Sequence, residues 1–228
     1  MSIKLVVFDI AGTTIQDEIG VMEAFRSTLK KHGYDMPMKE VAAVMGYKKI
    51  EAIAILLENN EPDKSKITSE KIETIHTDFV NYMISFYQNS PVIEVFPHAE
   101  GTFRKLHEDN IKVGLNTGFT RAIADTIINR LQWREKGLID YLIASDEVEN
   151  GRPHPYMINK MMAEFGITDS TEVAKVGDTE VDVREGQNAG CKYVIGITTG
   201  SFTREELERY HPTHIIDDIA EVIDIVTQ

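Results

Sequence analysis

The stretch VVFDIAGTTIQ, Val6 to Gln16, decides the fold. Its first residues are apolar and largely β-branched, and they stop abruptly on Asp9. A buried parallel strand ends this way. Gly12 follows within a tight turn, with Thr13 and Thr14 behind it, so a carboxylate stands beside backbone N–H groups able to hold an anion.

Working outward, apolar runs bounded by Gly, Asp or Thr recur at residues 3–9 (IKLVVFD), 111–118 (IKVGLNTG), 141–146 (YLIASD), 173–179 (VAKVGDT), 193–200 (YVIGITTG) and 213–218 (THIIDD). Amphipathic segments of helix length alternate with them: HAEGTFRKLHEDN, TRAIADTIINRLQW, HPYMINKMMAEFG and EVDVREGQNAG. That alternation predicts an α/β fold built on a doubly wound, mainly parallel, Rossmann-like sheet. The stretch Asp17 to Phe96 is too long for a loop, and its periodicity is helical throughout. Breaks at Gly33, Pro37, Gly46 and Pro62 divide it into three or four helices, an inserted α-helical cap after strand 1. The expected division is a core of residues 1–16 and 92–228 with a cap of 17–91.

Composition narrows the chemistry. The 228 residues include 24 Lys and Arg against 37 Asp and Glu, for a net charge of −13, and no basic block is present to line a row of phosphates. Nucleic acid is not an expected partner. An anionic substrate would need a metal ion and a few placed cations to overcome that background. Cys191 stands alone and cannot form an internal disulfide. No apolar run approaches the ~18 residues of a membrane span, and the first residues lack the apolar stretch of a secretion signal. A soluble, cytoplasmic protein without membrane association is expected.

Functional residues of a parallel sheet gather at the carboxyl ends of its strands. Here these are Asp9, Thr117, Asp146, Asp178 and Asp182. Each alone has an ordinary use as a turn or capping residue. Their order is more specific: Asp-x-x-Gly-Thr, then strand-Thr-Gly, then Arg152 in NGRPHP, then GDTEVD with two carboxylates four residues apart. Hard oxygen donors in this arrangement suit Mg²⁺, and Arg152 adds a guanidinium fork for anionic oxygen. The pattern points to phosphoryl transfer.

The four stretches FDIAGTT, LNTG, GRPHP and VGDTEVD resemble, in order, the four motifs of the haloacid dehalogenase superfamily of aspartate-nucleophile hydrolases. The resemblance covers almost the whole chain. It implies that Asp9 attacks phosphorus, that Thr117 and Gly118 bind phosphoryl oxygens beside the Gly12–Thr13 turn, and that Arg152 stabilises nucleophile and transferring group. It also implies Mg²⁺ held by Asp9, the Ala11 carbonyl and Asp178, with Asp182 completing the metal network.

Most phosphatases of that superfamily place Asp two residues after the nucleophile as the acid for the leaving alkoxide. Alanine stands there in this chain, and loss of a positioned acid typically costs about 10²–10⁴ in rate. DxAGTT, MGYKKIEAI, NTGFTR and GRPHP resemble the phosphonatase branch, the phosphonoacetaldehyde hydrolases, which cleave carbon from phosphorus. There the departing electrons are accepted by a lysine Schiff base, which Lys49 would provide, with Met45, Ala11 and Phe119 facing the substrate. Three positions depart from that branch: Ala52 replaces a cap histidine, Ile19 a cysteine, and Phe119 a tyrosine. The expected function is Mg²⁺-dependent hydrolysis of a small organophosphonate or organophosphate. A phosphoester phosphatase without Schiff-base chemistry and a non-catalytic phosphoryl-binding module stand as alternatives. Closure about hinges at Gln16–Ile19 and Ser90–Val95 is expected, and the apolar face of Val21–Leu29 fits either the core or a homodimer through the cap.

Overall fold

The computed structural model describes residues 2–16 and 18–228, without the side chains of Glu18 and Ile19. Among these residues six parallel strands form one sheet: β1 (Leu5–Phe8), β2 (Lys112–Thr117), β3 (Tyr141–Ala144), β4 (Val173–Gly177), β5 (Tyr193–Ile197) and β6 (His214–Ile216), in the order β3-β2-β1-β4-β5-β6. β1 lies in the centre, pairing Leu5 with Lys112 on one side and with Val173 on the other. Both edges of β1 are therefore hydrogen-bonded, and the residue after it, Asp9, leaves the sheet at its middle.

The strand periodicity of two sends β1 side chains to opposite faces. Val6 and Phe8 join Phe103, Leu106, Ile123 and Ile127 on one face, while Leu5 and Val7 join Met157, Ile158 and Met161 on the other. The first set belongs to α5 (Ala99–Glu108) and α6 (Arg121–Leu131), the second to α7 (Tyr156–Glu164). Helices α8 (Glu180–Ala189), α9 (Arg204–Glu208) and α10 (Val222–Val226) complete the α/β layers. This is the doubly wound Rossmann-like architecture that the alternation of runs predicts.

Between β1 and α5 run α1 (Glu18–Lys31), α2 (Met38–Ala42), α3 (Lys49–Asn60) and α4 (Ser69–Asn89), four helices at the expected breaks. Phe25 on α1 meets Phe79 on α4 edge to face, with ring centroids 5.0 Å apart. Val21, Ala24, Phe25 and Leu29 are all buried, so the apolar face of α1 is used by the core. Each such large side chain contributes about 1.5–3 kcal/mol on burial. The helices also reach the α/β layers directly: Tyr87 packs on Phe119, and Arg130 donates hydrogen bonds to the carbonyls of Tyr87 and Ser90. Where the chain leaves and re-enters the sheet region, the two segments run side by side. Gln16 N donates to Glu94 O at 2.8 Å and Phe96 N to Thr14 O at 3.1 Å. Of the expected hinge at Gln16–Ile19, Asp17 and the side chains of Glu18 and Ile19 lie outside the described residues.

Candidate active site

Four strand ends and the start of α3 converge on one cavity of about 380 Å³, its mouth included. Asp9 and Ala11 contribute from the turn after β1, Thr117 to Phe119 from the end of β2, Asp178 and Thr179 from the end of β4, and Ser201 from the loop after β5. The helical segment covers it with Val21, Met45, Gly46 and Lys49. The strand ends supply most of the polar groups, and the roof, apart from Lys49, is apolar.

Gly12 shapes the turn below Asp9. Its φ is +89°, and a Cβ there would come within 2.7 Å of Asp178 Oδ2, so glycine is needed for both conformation and space. Thr13 Oγ1 donates to Asp178 Oδ1 at 3.1 Å and Ser201 N donates to Oδ2 at 2.8 Å, which fixes that carboxylate beside the turn. Thr199 Oγ1 donates to the Gly12 carbonyl. On the next strand, Phe119 N donates to Thr117 Oγ1 at 3.1 Å, holding that hydroxyl at the cavity wall.

Beneath the cavity lies a buried network of charge. Arg152 Nη2 approaches Asp9 Oδ1 at 2.6 Å, Nη1 approaches Asp182 Oδ1 at 2.8 Å, and Nε approaches Glu185 Oε2 at 3.3 Å. Lys175 Nζ adds a second cation, 2.8 Å from Asp182 Oδ1 and 3.7 Å from Glu185 Oε2. Asn116 ties the two together: its Oδ1 accepts from Arg152 and Lys175, and its Nδ2 donates to both oxygens of Glu185. Burial raises the Asp9 pKa above its ordinary value, and Arg152 pulls against it. Burial also works against ionised Asp182, but Arg152 and Lys175 outweigh it and hold that carboxyl low. Burial raises Glu185.

Lys49 begins α3 and is 4% exposed. Nζ donates to Tyr47 O at 3.3 Å and lies 5.9 Å and 5.7 Å from the ring centres of Phe25 and Phe119. Burial lowers its pKa from 10.5 to about 8, with Asp9 opposing the drop. A large fraction of a buried amine with that value is neutral, and therefore nucleophilic, near pH 8.

A metal would meet only oxygen here. Among the described residues no cluster of three or more His, Cys, Asp or Glu forms a cage. The carboxylates grouped at the cavity are those of Asp9 and Asp178, with Asp178 locked beside the turn. Two carboxylates at one cavity suit Mg²⁺, a hard cation that is seldom caged by protein alone.

A family model described as haloacid dehalogenase-like hydrolase matches residues 6–196. The chain belongs to that family. The haloacid dehalogenase-like chain is also 34% identical over 220 residues to a bifunctional phosphonoacetaldehyde hydrolase/aminoethylphosphonate transaminase of Clostridioides difficile (strain 630), covering 90% of itself and about a third (34%) of that longer protein. It is 30% identical to a phosphonoacetaldehyde hydrolase of Bacillus mycoides (strain KBAB4), covering 96% of itself and 86% of the relative. Among solved structures, a phosphonoacetaldehyde hydrolase like protein from Oleispira antarctica superposes with a TM-score of 0.83 at 23% identity, over 100% of this chain and 92% of the other. A predicted phosphoglycolate phosphatase from Haemophilus somnus 129pt gives 0.79 at 18% identity, over 99% and 98%. These two likenesses speak to the fold.

Within this hydrolase fold, Asp9, Ala11, Met45, Lys49, Thr117, Gly118, Phe119 and Asp178 meet at the cavity. Four of the expected site residues, Gly12, Thr13, Arg152 and Asp182, lie outside its lining. Asp182 does not line the cavity: its Oδ1 faces Arg152 and Lys175 and its Oδ2 accepts from Thr179 Oγ1. The Thr13 hydroxyl is turned onto Asp178, away from substrate. Arg152 reaches Asp9 from below and does not border the cavity. Asp146 accepts from Arg121 N at the start of α6, a capping use, and His154 is exposed and stacked on Tyr156. Sequence reasoning missed Lys175, Glu185 and Asn116, and also Thr179, Ser201 and Val21. A lysine inside the buried run VAKVGDT was the available signal, because an unpaired charge is not tolerated in a central strand.

Proposed function

We propose that the chain is a phosphoaspartate-forming, Mg²⁺-dependent hydrolase of a small organophosphonate, cleaving carbon from phosphorus beside a carbonyl group. The observation that carries this reading is Lys49, a buried amine with its pKa lowered to about 8, facing the same cavity as Asp9 and Ala11. On this reading the Lys49 amine takes over the part that an acid plays in an ester phosphatase.

In this reading the neutral Lys49 amine condenses with the substrate carbonyl, losing water to form an iminium. The apolar walls of Val21, Met45, Phe25 and Phe119 keep the amine desolvated and exclude bulk water. Asp9 attacks phosphorus, the carbon–phosphorus bond breaks, and its electron pair enters the iminium to give an enamine. Thr117 and the Gly118 N–H hold the phosphoryl oxygens, while Arg152 holds Asp9 in line. Mg²⁺ bound by Asp9, the Ala11 carbonyl and Asp178 would neutralise charge on the phosphoryl oxygens, an effect worth several kcal/mol. Water then hydrolyses the aspartyl-phosphate, and the enamine takes a proton on carbon before the imine is hydrolysed.

Ala52 favours a second reading. It is fully buried one turn after Lys49, so no side chain there can move protons for the amine. On that reading Lys49 only binds an anionic group, and the substrate is a phosphoester with a good leaving group. A panel of phosphonoacetaldehyde, sugar phosphates and p-nitrophenyl phosphate, assayed with Mg²⁺ for phosphate and for aldehyde, separates the two. The carbon–phosphorus reading requires aldehyde and phosphate in equal amounts from phosphonoacetaldehyde. Phosphate from esters alone would establish the second.

A further inference from the structure

Lys48 occupies the N-cap position of α3, but its side chain makes no cap bond and turns away from the helix. Its Nζ donates to Val148 O at 3.2 Å and to Glu149 O at 3.3 Å. One turn along α3, Glu51 Oε1 accepts a hydrogen bond from Gly151 N at 3.4 Å. Between these bonds the Lys48 side chain lies directly on Gly151, where an added Cβ would come within 2.7 Å of Lys48 Cβ. An ordinary surface lysine would contribute little. This one spans about a hundred residues of sequence and is seated on a position that only glycine leaves open.

The neighbours of the clasp give it consequence. Lys49, next to Lys48, carries its amine into the cavity, and Arg152, next to Gly151, carries its guanidinium to Asp9 at 2.6 Å. Lys49 shares the cavity with Asp9, while Arg152, outside that lining, contacts the Asp9 carboxylate. We propose that Lys48 and Glu51 are positioning residues: they grip the main chain of residues 148–151 and hold the Lys49 amine and the Arg152 guanidinium in register on Asp9. Because the grip falls on carbonyls and an N–H, it depends on the path of the loop and not on the side chains of Val148 and Glu149. The inference rests on the reading of Asp9 and Lys49 given above.

The test uses the full chain with Lys48→Met, Glu51→Gln, the pair together, Gly151→Ala and the conservative Lys48→Arg. Hydrogen exchange, which needs no substrate, is followed at residues 148–152 and 49–53. The expected result is faster exchange in both segments from a change on either side, restored by Lys48→Arg. Turnover is measured with phosphonoacetaldehyde and p-nitrophenyl phosphate, using whichever the unaltered protein hydrolyses. kcat should fall by about 10–100-fold with KM changed less than about threefold, since small misplacements of reacting groups act on the chemical step. The double variant should be no worse than the worse single one, as for two residues acting as a unit. Exchange that quickens only on the mutated side, or kcat within about twofold in both single variants, overturns the proposal. Should phosphonoacetaldehyde not react, the carbon–phosphorus reading fails while the exchange result still decides the clasp.

Discussion

Arg152 Nη2 stands 2.6 Å from Asp9 Oδ1 while the Arg152 side chain is wholly buried. The same guanidinium meets Asp182 and Glu185, so one side chain answers three carboxylates. A guanidinium offers five donors in a fixed plane, whereas an ammonium is a point charge on a flexible stem. Arg152→Lys should fold but lose about 10²–10³ in kcat, the cost of one preorganised charge at a reacting group. Arg152→Met should cost about 3–5 kcal/mol in stability, since it strands buried carboxylates. Denaturant titration beside steady-state kinetics separates the two effects.

Lys49 makes a prediction in which stability and activity move in opposite directions. Burial lowers its pKa from 10.5 to about 8, equivalent to roughly 3 kcal/mol against the folded state when the amine is protonated in both states. That burden is full below pH 8 and fades as pH rises from 8 to 10.5, because the unfolded chain then still binds the proton that the folded one has released. Lys49→Met should therefore stabilise the protein by up to about 3 kcal/mol at pH 7, with the gain shrinking above pH 8. Carbon–phosphorus cleavage should be abolished, and in the unaltered protein its rate should climb with pH toward about 8. Thermal unfolding across pH and a kcat/KM profile check both.

Ala11 lines the cavity two residues beyond Asp9. Ala11→Asp should introduce the missing acid and raise turnover of phosphoesters with poor leaving groups by about 10²-fold. A new carboxylate beside the phosphoryl site should at the same time slow phosphonoacetaldehyde cleavage. The ratio of the two kcat/KM values is the measurement.

Lys175 and Glu185 test whether the buried network is balanced. Lys175→Met should destabilise by about 3–5 kcal/mol by leaving Asp182 and Glu185 with one cation between them. Adding Glu185→Gln removes one of those charges, and the pair should recover more than half of the loss. A double-mutant cycle in denaturant reads the coupling.

Much of this was legible in the chain itself. The six strands stand where apolar runs end on Asp, Thr or Gly, because a central parallel strand must be apolar on both faces, as Leu5–Phe8 is. The helices over residues 18–89 follow their breaks for a similar reason. The charge network was not legible. Lys175 reads as a polar lapse in a strand, Asn116 as part of a turn motif, and Glu185 as a solvated helix residue. Asp182 and Glu185 lie three apart on α8, one face of a helix, and that spacing together with Lys175 was the clue. The resemblance implies that Asp182 completes a metal network; only the fold reveals that it meets Arg152 and Lys175. Ser201 and Lys48 act across loops, and their partners are distant in sequence.

The central claim is that the Lys49 amine bonds covalently to the substrate above Asp9. Borohydride added during turnover of phosphonoacetaldehyde with Mg²⁺, followed by peptide mass spectrometry, tests it most directly. The predicted result is loss of activity with a reduced adduct on Lys49, absent in Lys49→Met. Continued release of phosphate and aldehyde with no adduct on Lys49 would contradict it.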